Sequence, residues 1–294
     1  MPDRISAVPE RTNRIGRHLP TAGGLVRTLE KARDLGCEAA QVFVSNPQGW
    51  AVPGPRADAE LFVEGSRKIG LSPVVVHAKY LINLASKQPW LRERSREALA
   101  SELVAAGRIG AQLVVVHAGS HGGDGEEKGM ELLVEGLEQA KELAARSGGA
   151  SRVAEPVVEN SVGGGTQLCS TFDALSEVAE RAGVRVCLDT AHAFVAGYDF
   201  STPGGARKML ADIQDLVAVV HLNDARNAFA SHRDGHSKIG EGEIPPRSWD
   251  ELFRALPGVP AVMETPYAGP EADAEEVRLV KELAGGLPVS PGAV

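Results

Sequence analysis

Short apolar runs that stop at a polar residue recur along the chain: RIGRHL, QVFVSN (41–46), VVVHA (74–78), VVVHAG (114–119), PVVEN (156–160), VRVCLDT (184–190), VAVVHLND (217–224) and PAVMET (260–265). They are rich in β-branched residues and lack in/out alternation, the pattern of strands buried on both faces of a parallel sheet. Between them lie LVRTLEKARDLG, LRERSREALASELVAAGRIG, KGMELLVEGLEQAKELAARSG, FDALSEVAERAG and EEVRLVKELAG, where apolar residues return at spacings of three and four and each segment closes on glycine. Thr171, ahead of FDALSE with acid in the first turn, is a predicted N-cap. Eight strands alternating with helices over 294 residues predict one α/β domain, a TIM (β/α)8 barrel. Its expected bounds are residues 14–285, between a polar flexible tail over 1–13 and a Pro/Gly-rich flexible tail over 286–294.

In such a barrel the chemistry sits at the C-terminal ends of the strands. His77, His117, Glu159, Asp189, His221 and Glu264 each terminate a different apolar run. One such residue is most often a hydrogen-bonded rim group, but six on six consecutive strands make a constellation. His192 stands three residues after Asp189, and a DGH segment after the seventh strand adds Asp234 and His236. Five histidines and four carboxylates without cysteine suit Zn²⁺, with Mn²⁺ a possible occupant of one or more positions. One zinc needs three or four ligands; nine, with one carboxylate bridging, fill three sites. Several divalent ions held together favour hydrolysis of a phosphodiester, since ions about 3.5–4 Å apart activate a water and stabilise the leaving oxygen without a Ser or Cys nucleophile.

A formal charge of −8 counts against a nucleic-acid partner when taken alone. Carboxylates that hold cations reverse the sign a ligand meets, so the charge does not exclude one. Cys37, Cys169 and Cys187 show no CxxC spacing, and Cys187 on its apolar strand reads as core. No run is apolar enough to span a membrane, and MPDRISAVPERTNR lacks the apolar stretch of a secretory signal, so the cytoplasm is the expected location.

IGRHLPTAGGL, HAKYLINLAS, VHAGSH, VVENSVGGGTQL, CLDTAHAFVAGYDF, HLNDARNAFASHRDGHSKIGEG and METP resemble the endonuclease IV family, the zinc-dependent apurinic/apyrimidinic endonucleases. The similarity runs from about Ile15 to Glu264, and DTAHAFVAGYD and HLNDA…DGH…GEG carry most of it. The resemblance implies a xylose-isomerase-like barrel and a DNA-repair hydrolase, acting as a monomer on double-stranded DNA with abasic sites. It places His77, His117 and Glu159 on one zinc, bridging Glu159 with Asp189, His221 and Glu264 on a second, and His192, Asp234 and His236 on a third. A hydroxide bridging two ions would attack the phosphate 5′ to the abasic sugar and leave a 3′-hydroxyl, with Glu159 the key catalytic carboxylate. Tyr80 and Leu81 match positions that wedge into the gap left by a flipped nucleotide, an extrusion that costs least where the base is missing. In SNPQGW the family pattern usually has arginine where this chain has Gln48.

Other residues carry weaker expectations. His18 is a candidate groove contact, or a rim histidine; His121 a candidate support for a ligand, or a loop histidine. His232 is expected to be solvated, and Gly163 to Gly165 to let the loop after Glu159 pass close to substrate. Arg152, Arg226, Arg233 and Lys238 are expected on or near the top-face loops. A metal-dependent sugar isomerase or epimerase shares the barrel but leaves His192, Asp234 and His236 without a role. A non-catalytic damage-binding module that keeps metals for folding is disfavoured, because structural zinc sites are usually closed and cysteine-rich.

Overall fold

The computed structural model of the protein describes residues 13–147 and 152–285. The tails predicted at the two ends lie outside those residues, except Asn13. That residue is buried and its side-chain amide donates to the Leu256 and Val259 carbonyls, so it belongs to the barrel and not to the tail.

Eight parallel strands close on themselves: β1 (Ile15–His18), β2 (Ala39–Val42), β3 (Val74–His77), β4 (Leu113–His117), β5 (Glu155–Glu159), β6 (Arg185–Asp189), β7 (Val217–His221) and, after a two-residue antiparallel ladder of β8 (Asp224–Ala225) with β9 (His236–Ser237), β10 (Ala261–Met263). Strands β1 and β10 pair to shut the barrel. All eight apolar runs are therefore strands, although β2 ends earlier than QVFVSN suggests.

The outer ring is α1 (Leu25–Asp34), α2 (Ala59–Ile69), α3 (Pro89–Arg108), α4 (Glu126–Arg146), α5 (Phe172–Ala182), α6 (Thr190–Ala196), α7 (Gly205–Met209), α8 (Arg247–Ala255) and α9 (Pro270–Ala284). Thr171 caps α5, accepting from the Ala174 amide at 3.3 Å. The segments that periodicity did not single out, α2, α6, α7 and α8, are mostly short. In α6 six of seven residues are buried, so no polar face marks it.

Two apolar layers result. One lies between strands and helices. The other, made of Ala39, Val75, Leu113, Val115, Val157, Cys187, Ala218, Val219 and Val262, plugs the barrel interior. Because side chains alternate along a strand, the residue two positions on points the same way. From Ala39, Val75, Val115, Val157, Cys187, Val219 and Val262 that step reaches Gln41, His77, His117, Glu159, Asp189, His221 and Glu264. His18, paired in register with Gln41, completes a polar ring above the plug. Gly16 below it allows β1 to close on β2: a Cβ there would stand 1.7 Å from the Ala39 carbonyl oxygen.

Candidate metal centre

Strand register sets the first contacts. His117 pairs with Glu159, and Asp189 with His221. Glu159, fully buried, lies at the middle: Oε2 is 3.3 Å from His117 Nε2 and 3.7 Å from His77 Nε2, while Oε1 is 3.0 Å from His221 Nδ1 and 3.5 Å from His192 Nδ1. Glu264 brings Oε2 to 3.2 Å from His221 Nδ1. The three-residue step in DTAH has a local cause. Asp189 is the N-cap of α6 and accepts from the His192 amide at 2.8 Å, which swings the His192 ring onto the same rim. His192 Nε2 is then 3.4 Å from Asp234 Oδ1, and His236 Nε2 is 3.6 Å from both Asp234 Oδ1 and Asp189 Oδ2.

All nine predicted residues therefore gather at one end of the barrel. Three sets of donors each bring their ligand atoms within 4.8 Å: His77, His117 and Glu159; Glu159, Asp189, His221 and Glu264; Asp189, His192 and His236. Two buried atoms here, Glu159 Oε2 and His236 Nε2, have no hydrogen-bond partner. Buried polar atoms are seldom left so, and imidazole and carboxylate are what a Zn²⁺ or Mn²⁺ ion takes, so the residues present fit such ions. Cys187 also falls near Glu159 and His221, but burial pushes its thiol up to about 12 and it stays a packing residue.

Neighbours that sequence reading passed over fix these rings. Gln41 accepts from His221 Nε2 at 2.8 Å and donates to Glu264 Oε1 at 2.5 Å. Asn160 spans the Asp189 backbone through both ends of its amide, and its own carbonyl faces His192 Nδ1 at 2.9 Å. Asn223 donates to Asp189 Oδ2 and accepts from the Glu264 amide, each at 2.7 Å. His77 Nδ1 points at the Ala78 carbonyl, 2.7 Å away. With these nitrogens engaged, His77 and His192 turn Nε2, and His221 turns Nδ1, toward the carboxylates. A signal was available for Asn160, which directly follows Glu159, and for Asn223, two residues after His221, but not for Gln41.

The charges are mutually supported. Burial alone would raise Glu159, but His221, His77 and His117 hold it well below the usual carboxylate range. Burial alone would lower His192, yet Asp189, Asp234 and Glu159 lift it to about 10, and His221 is likewise lifted well above its ordinary value by Cys187, Glu264 and Glu159. His18 goes the other way, down to about 4, chiefly through burial.

The centre floors a cavity of about 540 Å³ that also meets Tyr80 and Arg226. A neighbouring cavity of about 670 Å³, walled by Leu19, Pro20, Phe43 and Tyr267, opens onto Glu264 and His236. Tyr80 is half exposed, stacked on His117 with ring centroids 5.8 Å apart. Gln48 is exposed, Leu81 partly so, and His18 stands on the rim, hydrogen-bonded to Gln41 at 3.1 Å.

Four weaker expectations resolve here, and the one for Arg152 is overturned. His232 is exposed, as expected, and its Nδ1 in addition meets the Val162 carbonyl at 2.8 Å beside Gly163, where a Cβ would stand 3.1 Å from that nitrogen. Arg152 precedes β5 and so lies at the opposite, N-terminal end of the barrel, beside Arg14 and Gln112. Lys238 stands in the loop after β7, as expected, engaged with Asp273 at 3.3 Å and Glu276 at 3.7 Å. Of the two readings of His121 the loop histidine holds: its Nδ1 accepts from the Gly123 and Gly125 amides of its own turn.

Fold and rim together define a xylose isomerase-like TIM barrel, and the sequence pattern of that family matches residues 29–283. The chain is 35% identical over 282 residues to the probable endonuclease 4 of Halothermothrix orenii, covering 91% of this chain and 99% of that protein. It superposes on the crystal structure of endonuclease IV from Thermus thermophilus with a TM-score of 0.81 and 33% identity, covering 93% of this chain and 99% of the other. The protein belongs to the endonuclease 4 family. A D-tagatose 3-epimerase-like protein shares the fold alone, with a TM-score of 0.69 at 19% identity over 93% of this chain and 98% of the other.

Proposed function

We propose that this protein is a DNA-repair endonuclease that hydrolyses the phosphodiester 5′ to abasic sites in duplex DNA and leaves a 3′-hydroxyl. One observation carries the reading: imidazole and carboxylate donors converge on one open rim in groups that overlap at Glu159 and Asp189, with Asp234 beside His192 and His236, within a chain of the endonuclease 4 family. His77, His117 and Glu159 would hold one zinc; Glu159, Asp189, His221 and Glu264 a second; His192, Asp234 and His236 a third, with Mn²⁺ able to replace zinc at one or more positions. Bound there, divalent cations supply an activated water and charge neutralisation for the leaving oxygen.

The chain's own groups do the rest. Glu159 offers its oxygens to opposite sides of the rim. Gln41, Asn160 and Asn223 keep the ligand rings and carboxylates in place without joining the chemistry. Tyr80 and Leu81 would fill the space vacated by a flipped nucleotide; Gln48 and His18 would meet the strands on either side. The protein would act on DNA in the cytoplasm as a monomer; no helix among the described residues is long and apolar enough to cross a membrane.

Incubation with a duplex containing one abasic analogue, with and without chelator, tests the reading. Metal-dependent cleavage on the 5′ side is expected. Binding without cleavage in metal-replete protein would overturn it, and ketose epimerisation without cleavage would favour a sugar-converting enzyme.

A further inference from the structure

Beneath the rim a second charged assembly takes no part in the metal centre. Lys79 and Glu102 are buried together, each side chain 1% exposed, with Nζ 3.2 Å from Oε1. Glu102 comes from the middle of α3; Lys79 is in the loop after β3, one residue before Tyr80. The same carboxylate accepts from the Lys79 backbone amide at 3.0 Å and from Ser45 Oγ at 2.6 Å, while Ser45 Oγ accepts from Lys79 Nζ. Ser45 opens the loop SNPQGW. That loop is fastened further: the Tyr80 amide donates to the Pro47 carbonyl at 3.1 Å, and Arg94, also on α3, lies 4.8 Å from the centre of the Trp50 ring.

A buried ion pair is poor value as plain stability, since desolvating both charges offsets most of their attraction and a packed apolar pair does as well. What it provides is direction. One carboxylate reaches two loops at three points, each with a fixed donor geometry. We infer that Glu102, with Lys79, is a positioning residue for substrate recognition: it clamps the 45–50 loop to the Tyr80 loop so that both present one preformed edge to the DNA duplex. This rests on the proposed action on abasic DNA. The clamp lies off the metal centre, so its loss falls on substrate binding, whereas loss of a ligand falls on turnover.

Glu102→Leu alone would strand a buried ammonium and test folding more than positioning. The informative protein combines Lys79→Met with Glu102→Leu, removing both charges and the acceptor; its rescue combines Lys79→Met with Glu102→Gln, which restores an uncharged acceptor for the amide at position 79 and a hydrogen-bonding partner for Ser45. The leucine pair is expected to raise KM for an abasic duplex roughly tenfold, with kcat and bound metal held within about twofold, and the glutamine pair to recover most of the KM. Amide hydrogen exchange without DNA gives an independent reading. The Tyr80 amide, whose bond to Pro47 is untouched by either change, should exchange faster in the leucine pair alone. Unchanged Tyr80 exchange in the leucine pair overturns the clamp whatever the DNA data say, as does an equal loss of kcat and KM performance in both pairs. Wild-type protein that fails to cleave abasic duplex would sink the proposed function instead, with the exchange result still deciding the clamp.

Discussion

His117 and Glu159 are register partners on β4 and β5, and Nε2 of the histidine stands 3.3 Å from Oε2 of the glutamate. That oxygen has no hydrogen-bond donor, while its twin faces His221 and His192. A single carboxylate thus lies between two donor groups, as its proposed bridging role requires. Glu159→Gln keeps the volume and removes the charge on which both groups depend. Cleavage of abasic duplex should fall below detection, while equilibrium binding of the duplex keeps most of its strength because the loops are unchanged. Affinity lost in parallel with activity would mean that the centre, not the loops, holds DNA.

Metal content follows from the same count. Nine donors with one shared should retain three ions per chain, read by elemental analysis of metal-replete protein; one ion would favour a sugar isomerase.

The ions should compete with protons. In the metal-free protein His192 is lifted to about 10 and His221 well above its ordinary value, so both carry protons near neutral pH. A ligating imidazole must be neutral, so metal uptake releases those protons and apparent affinity climbs as pH rises from about 6 to 8. The sign reverses for stability of the metal-free fold. Raised histidines stabilise it while protonated and that contribution disappears as pH rises through their folded values, so metal-free protein should melt lower at about pH 10 than at about pH 7. Chelator competition across pH and melting curves of stripped protein check the two halves; an affinity flat with pH would show that the histidines enter binding already neutral.

Asn223 ties Asp189 to Glu264, donating to the first and accepting from the backbone of the second. Asn223→Ala leaves the Glu264 amide without its partner and frees the Asp189 carboxylate to rotate. Metal affinity should drop by about 10–100-fold and stability by about 1–3 kcal/mol. Chelator titration and thermal melts check both; intact metal affinity would show that packing alone orients Asp189.

The barrel and its candidate ligands were legible because one rule wrote both. An interior apolar residue followed two positions later by a polar one places that polar group on the rim, and β3 to β7 with β10 obey it in plain sight. Gln41 was missed because QVFVSN continues apolar past it, so the run looked as though it ended at Ser45. His232 is exposed as its sequence suggested, but its partner, the Val162 carbonyl, went unforeseen because it lies in a loop far away in sequence and backbone acceptors leave no trace in side-chain patterns. Arg152 was misplaced although PVVEN already gave the direction of its strand: a residue ahead of a barrel strand lies at the N-terminal end, away from the rim. The buried pair of Lys79 and Glu102 was invisible for a different reason: Glu102 sits in a helix whose sequence reads as ordinary amphipathic surface.

Gln48 lies at the exposed tip of the loop whose base Glu102 holds, and its amide is fixed by Asn46 Oδ1 at 3.0 Å. The backbone is therefore set by residues other than the Gln48 side chain, and a substitution there changes chemistry without moving the loop. Arginine would add a permanent cation and a flat guanidinium able to contact phosphate or fill the gap beside a flipped nucleotide. One added phosphate contact steepens the fall of log affinity with log salt by about one unit. Gln48→Arg should therefore tighten binding to abasic duplex, most at low salt, with the two proteins converging as salt rises. The single-turnover cleavage rate should stay nearly the same, because no donor of the metal centre is altered. Titrations across a salt series decide it. Equal affinities and equal slopes would show that the 45–50 loop does not reach the DNA backbone, and the recognition edge would then have to be sought on the Tyr80 side alone.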